Sequence, residues 1–283
     1  MTQTQSIVRR GVARITDSAI GPGMTPSHRA RPLVHDGDFA ASDPFLFLME
    51  DWFDPHVFEF HPHRGMETVT FVLDGELDHR EQGKTPSRFS TGDAMWMTAG
   101  RGVIHNEAPV EEKTVHTLQL WVNLPAAEKL TEPRYQVLKR DAMPVRREDG
   151  AEIRLFSGSS GELRAATLNH VPVTMVEFSL APHARAVQDL PADYNGFLYV
   201  IAGNGFFGVE RAPAHAGQIV WMERPDRAGL SEFALQAGDE PLRALLWAGR
   251  PLRESVVAYG PFVMNTKEQI REAFADYQAG RFG

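Results

Sequence analysis

The chain has 283 residues, 42% hydrophobic and 23% charged, which excludes a wholly disordered protein and leaves room for two domains or one large β structure. Its formal net charge of −8 and sequence pI near 5.8 disfavour direct binding to nucleic acid or an anionic lipid surface. With no cysteine, disulfides, thiolate nucleophiles, zinc ribbons and iron–sulfur clusters are excluded, so any metal must be held by histidine nitrogen and carboxylate oxygen.

The opening MTQTQSIVRRGVARITDSAIG lacks the apolar core of a signal peptide, and no later run is long enough to span a membrane, so a cytoplasmic protein is expected. From PFLFLMEDWF onward the chain reads as short strands. METVTFVLDGELDHR, DAMWMTA, HTLQLWVNL, EIRLFSG, TMVEFSLA, GFLYVIAGNGFFGVE, QIVWM and LRALLWAG are rich in β-branched and aromatic residues, with Gly, Pro, Asp and Asn between them. The fold class expected is all-β. VTFVLDGELDH followed by STGDAMWM has a counterpart in FLYVIAGNGFFG followed by HAGQIVWM, with Gly75 answering Gly203 and Gly92 answering Gly217, as in a duplicated domain. PRYQVLKRDAMPVRREDGAEIRL, rich in mixed charge, is the expected connection, and the boundaries expected are 1–135 and 136–283. The chain ends on a helix: Thr266 and Gln269 have capping-box spacing, Ile270, Phe274 and Tyr277 form an apolar stripe, and Gly280 suits the stop.

Two motifs carry no function. GNGFFG, residues 203–208, satisfies a dinucleotide pattern, but Phe206, Phe207, Val209 and Pro213 predict a hairpin where that site needs a helix. SGSSG, residues 157–161, lacks the spacing of a nucleophile elbow and reads as a polar loop.

The chemistry lies in two short segments. In FHPHRGMETV, His61 and His63 stand at i and i+2, which in an extended strand share one face. GRGVIHNEAP places His105 and Glu107 at the same spacing. Strands that a barrel brings face to face would join three imidazoles and one carboxylate, a set suited to Fe(II), Mn(II), Ni(II) or Zn(II), with positions left open in an octahedral arrangement. The second half keeps only His183 at the place of the first pair and has ERPDRAGLSEF at the place of the second, so it is expected to have lost the site. His116 reads as a satisfied histidine on an apolar strand; His56 and His79 read as surface residues; Arg64 and Gly65 fit a turn, with Arg64 a possible neighbour of the site.

FHPHRGMETVTFVLDGELDHR, WMTAGRGVIHNE, HTLQLWVNLP and the closing GPFVMNTKEQIREAFADYQAGRFG resemble the signature segments of the pirin family, a bicupin branch of the cupin superfamily. The resemblance implies two tandem cupin (jelly-roll type) β-barrels with a C-terminal α-helix: an N-terminal metal-binding cupin over 1–135 and a degenerate cupin with the terminal helix over 136–283. It implies His61, His63, His105 and Glu107 as metal ligands. A general cupin draws its carboxylate from the first motif, which here offers Glu67; the pirin pattern takes Glu107, leaving Glu67 a supporting or structural part.

Some bacterial pirin-like proteins resemble flavonol dioxygenases. The resemblance therefore implies a metal-dependent dioxygenase of the quercetin 2,3-dioxygenase type, with Glu107 as ligand and catalytic base. It further implies one divalent transition metal, Fe(II) foremost with Ni, Mn, Zn or Cu as alternatives, and a flavonol-like aromatic substrate with O2. The competing expectation is a metal- or redox-responsive regulatory protein that binds an enzyme or transcription factor.

Overall fold

The structure is a computed structural model that describes residues 7–34, 37–81, 85–111, 113–225 and 227–282. Residues 1–6 of the opening segment, and Asp226 in the segment answering His105 and Glu107, lie outside the described residues. The chain forms two β units, as the tandem-cupin expectation requires, but neither is continuous in sequence. One comprises Met1–Ser18 with Met143–Pro251, the other Ala19–Ala142 with Leu252–Gly283.

These units divide the chain elsewhere than the boundary expected at 135/136, and group the terminal helix with the first barrel. The reason is pairing that no local pattern reports. Val12–Thr16 lies antiparallel to Ile219–Met222, Val8–Arg9 runs parallel to Leu230–Ala237, and Arg10 is anchored beside them by donating to Ser231 Oγ at 2.7 Å and to the Pro191 carbonyl at 2.6 Å. At the other end, Phe262, Met264, Ile270, Ala273 and Phe282 form one buried apolar cluster with partly buried Ile104. The terminal helix, Lys267–Gln278, therefore groups with the unit that carries both candidate ligand pairs. Its start is as expected: Thr266 accepts from the Gln269 backbone, and the Gln269 side chain returns to Thr266.

The unit of Ala19–Ala142 and Leu252–Gly283 holds a seven-stranded and a four-stranded sheet. In the larger, Met66–Asp74 lies between Ala94–Thr98 and Val115–Asn123. In the smaller, Val103–Pro109 lies between His61–His63 and Glu76–Glu81. Phe53, Val72, Leu77, Phe89, Met95 and Val115 fill part of its interior. The other unit repeats the plan with a seven-stranded and a five-stranded sheet around Leu155, Val176, Phe178, Leu198, Val220 and Leu246.

The repeat extends to individual hydrogen bonds. Thr91 donates its backbone N–H to the Gly75 carbonyl and Gly92 to Val72; Ala216 donates to Gly203 and Gly217 to Val200. All four glycines have positive φ, between +76° and +99°, a conformation that glycine adopts without penalty. GNGFFG forms the hairpin expected of it, Asn204–Phe207 pairing with Ala212–His215. SGSSG differs from a plain loop: Ser159–Ser160 pairs with Leu163–Arg164, and Ser157 and Ser160 are buried. The charged connection is also built into sheets, through Arg134–Leu138 in one unit and Val145–Glu148 in the other.

Candidate metal centre

Cross-strand register assembles the site. Val103–Pro109 pairs with His61–His63 so that His105 stands opposite His61 and Val103 opposite His63. Alternation then turns both odd-numbered pairs to one face. The ring centroids are 4.4 Å apart for His61 and His105, 4.9 Å for His61 and His63, and 5.1 Å for His63 and His105. One ligand atom from each ring lies within 4.8 Å of the others, close enough to share an ion.

The electrostatics suit metal capture. His105 is fully buried and His63 is 4% exposed. Burial first, and then the neighbouring His61, pushes the His63 pKa down to about 3, against a hydrogen bond to the Pro261 backbone that raises it. Burial likewise holds His105 well below the ordinary histidine range, reinforced by His63, His61 and His79. Both rings therefore stay neutral at pH 7, the state that donates a lone pair. His63 Nδ1 and His105 Nε2 are buried without a hydrogen-bonding partner, an arrangement whose desolvation cost a bound cation offsets. The nitrogen of His61 is oriented too: its Nδ1 contacts the Glu59 carbonyl at 2.8 Å, and because a carbonyl only accepts, the proton sits there and Nε2 is left bare. The residues present thus fit a divalent transition metal.

Glu107 is placed less simply than expected. It is 8% exposed and near-buried, but at the 4.8 Å spacing it groups with His105 and His79 and does not join the set of three histidines. Its Oε1 accepts from Thr70 Oγ1 at 2.7 Å, and its Oε2 from Gln119 Nε2 at 3.0 Å. Thr70 and Gln119 face each other across paired strands, so the larger sheet fixes the carboxylate that the smaller one supplies. Each oxygen keeps a free lone pair.

Other expectations meet mixed outcomes. Glu67 is buried in a supporting position and accepts from Thr98 Oγ1 at 2.7 Å. His116 is satisfied by Glu50 at 2.8 Å and stacks on Trp52. His56 is exposed, in a positive-φ turn. His79 corrects the surface reading: it is 2% exposed, with its Nδ1 3.4 Å from His105 Nδ1. Its partner comes from the adjacent strand, where a search for same-strand neighbours does not look. His183, in the other unit, lies exposed in a turn near Asp239, and among the described residues no metal-ligating cluster of three occurs in that unit.

Arg64 does not enter the site. Its guanidinium donates to Asp276 of the terminal helix at 2.7 Å and to the Arg101 carbonyl at 2.6 Å, and lies 4.3 Å from the Phe282 ring centroid. Next to it, Gly65 has φ +80°, and a Cβ there would stand 2.0 Å from the Val263 carbonyl. Lys129 carries no sequence signal, yet its buried ammonium donates to the carbonyls of Gly65 and Val263 and to Asn123 Oδ1, tying the ligand loop to the terminal strand.

The Pirin family model matches residues 28–122, and the Pirin C-terminal cupin domain matches residues 175–283. A pirin-like protein of Solanum lycopersicum is 40% identical over 245 residues, covering 85% of this chain and 82% of its own length. The crystal structure of GK1651 from Geobacillus kaustophilus is 48% identical with a TM-score of 0.85, covering 89% of this chain and 100% of that one. A crystal structure of quercetin 2,3-dioxygenase from Acinetobacter baumannii is 28% identical with a TM-score of 0.84, over 98% of this chain and 99% of that one. Similarity of this depth, running through both barrels and over both candidate ligand pairs, makes the chain a member of the pirin family.

Proposed function

We propose that this protein is a metal-dependent dioxygenase of the quercetin 2,3-dioxygenase type, acting in the cytoplasm on a flavonol-like aromatic substrate with O2. The observation that carries this reading is the convergence of three imidazoles, two with buried partnerless nitrogens, beside an oriented carboxylate. The similarity to a solved quercetin 2,3-dioxygenase supports the substrate class. His61, His63 and His105 hold the metal and Glu107 completes the set; the ion is Fe(II), with Ni, Mn, Zn and Cu as the alternatives such a site accepts. When bound, it supplies Lewis acidity and a redox partner for dioxygen. Glu107 takes the proton of the substrate hydroxyl, and the Thr70 and Gln119 hydrogen bonds hold its carboxylate in one orientation while it does so. The test is aerobic incubation of the iron-loaded protein with quercetin, following loss of the flavonol absorption. Turnover is expected; none with iron, nickel, manganese or copper loaded in turn rejects the reading.

A second reading, a metal- or redox-responsive regulator of an enzyme or transcription factor, is favoured by one observation. Arg64 links the residue after ligand His63 to Asp276 on a helix whose Lys267, Glu268 and Arg271 are exposed. A change at the centre has a short covalent and ionic route to that surface. Capture of different proteins by the oxidised and reduced metal forms is its expected signature.

A further inference from the structure

We infer that His79 is a positioning residue that sets the tautomer of His105, through a chain running from His105 Nδ1 by way of His79 to Glu81; this rests on the metal-centre reading above. The two strands place four side chains on one face. In the pairing of Val103–Pro109 with Glu76–Glu81, His105 stands opposite Glu81 and Glu107 opposite His79. The diagonal brings His79 Nδ1 to 3.4 Å from His105 Nδ1, and His79 Nε2 to 3.3 Å from Glu81 Oε1. Both spacings are at the long end for hydrogen bonds, so their consequence is the direction of the protons more than energy.

That direction follows from counting protons. A carboxylate accepts only, so the proton of His79 sits on Nε2, facing Glu81. His79 Nδ1 is then a lone pair, and the hydrogen between the two Nδ1 atoms belongs to His105. A neutral imidazole carries one N–H, and His105 has an acceptor within reach only at Nδ1, where His79 stands. His105 Nε2 is therefore bare, and it is the buried nitrogen with no other partner. The other arrangement, with the proton on Nε2, would leave a buried N–H without an acceptor beside two further imidazoles and would block coordination. His79 is itself held: it is 2% exposed, with its ring 5.2 Å from Tyr135 and 5.1 Å from His105 between centroids. Glu59 does for His61, through one carbonyl, what His79 and Glu81 do for His105 through two side chains.

The test uses the full chain with and without metal. In the metal-free wild type, the imidazole nitrogen–proton correlation spectrum should show His105 as the Nδ1–H tautomer; the Nε2–H tautomer there overturns the inference without any variant. His79→Phe keeps a buried ring but no acceptor, whereas His79→Asn returns an oxygen near the place of Nδ1. Loss of an outer hydrogen-bonding partner of this kind typically weakens metal binding by about 10–100-fold. That loss is expected in His79→Phe, measured by competition with a chromophoric chelator, with His79→Asn restored to within about threefold. Wild-type affinity in His79→Phe overturns the inference, and so does complete loss of metal in both variants, which would make His79 a ligand. If the wild type takes up no metal, the metal-centre reading fails by itself, and the tautomer spectrum still decides the role of His79.

Discussion

Arg64 and Asp276, 212 positions apart, form a 2.7 Å ion pair that fastens the residue after His63 to the terminal helix. The hydrogen bond from Arg64 leads, with that from Arg281, in holding the Asp276 carboxyl below the usual aspartate range. A depressed carboxyl contributes stability above its unfolded pKa and loses it as pH falls through the folded one. The clamp is therefore intact at neutral pH and weakens as pH falls below the usual aspartate range. In Arg64→Ala, amide exchange over Lys267–Gln278 should accelerate by roughly tenfold or more, the helix becoming a unit of lower local stability. Unchanged protection would show that the apolar cluster alone holds the helix.

Metal should bind once per chain. His63→Ala removes one of three converging imidazoles, whereas His183→Ala alters an exposed turn of the other unit. Elemental analysis should find the first variant depleted and the second unchanged. Equal depletion would mean that a second ion depends on His183.

Acid should weaken the metal-free fold through the buried imidazoles. His63 has a folded pKa of about 3 against an ordinary 6.5, and that of His105 is also lowered, burial being the leading cause for both. Between these values the unfolded chain binds more protons, so stability is full above about pH 6.5 and falls as pH drops toward 3. Denaturant titrations in chelator between pH 4 and pH 6.5 should show that dependence. His63→Gln should make it shallower, by up to about 1.4 kcal/mol per pH unit, the value of one proton. An identical slope in the variant would contradict burial of a neutral His63.

Glu107→Gln keeps the side-chain length and one oxygen but removes the charge and nearly all basicity. Metal should be retained more weakly, while flavonol turnover falls by about 10²-fold or more, the scale for losing a general base. Turnover at the wild-type rate would remove Glu107 from the role of base.

Lys129 is buried against three neutral oxygens, and burial brings its pKa down to about 7, against an opposing pull from Glu254. The sign is that of a lysine depressed on folding: the unfolded chain binds more protons between about pH 7 and 10.5, so wild-type stability rises with pH across that window. Lys129→Met should lose that rise. Where the amine is neutral in both states, near pH 10.5 and above, it should be less stable by about 1–3 kcal/mol, because the carbonyls of Gly65 and Val263 lose their donor. A variant as stable as the wild type at that high pH would show that water replaces the amine.

Much of this protein is written in local pattern. The i, i+2 spacing of His61 with His63 and of His105 with Glu107 needs only strand alternation to be read, and the capping box at Thr266 and the paired glycines 75 with 203 and 92 with 217 are signals of the same short range. Those patterns carry the all-β class, the duplication and the three histidines that the structure brings together. Tertiary structure decided the rest, because strand register and chain exchange join residues whose separation leaves no periodic trace. It placed Val12–Thr16 and the terminal helix each with the opposite half of the chain, and turned Arg64 toward Asp276. It also set His79 diagonally behind His105, and drew Glu107 toward Thr70 and Gln119. Alternation tells which face a side chain occupies; only the register of the neighbouring strand tells what it meets there.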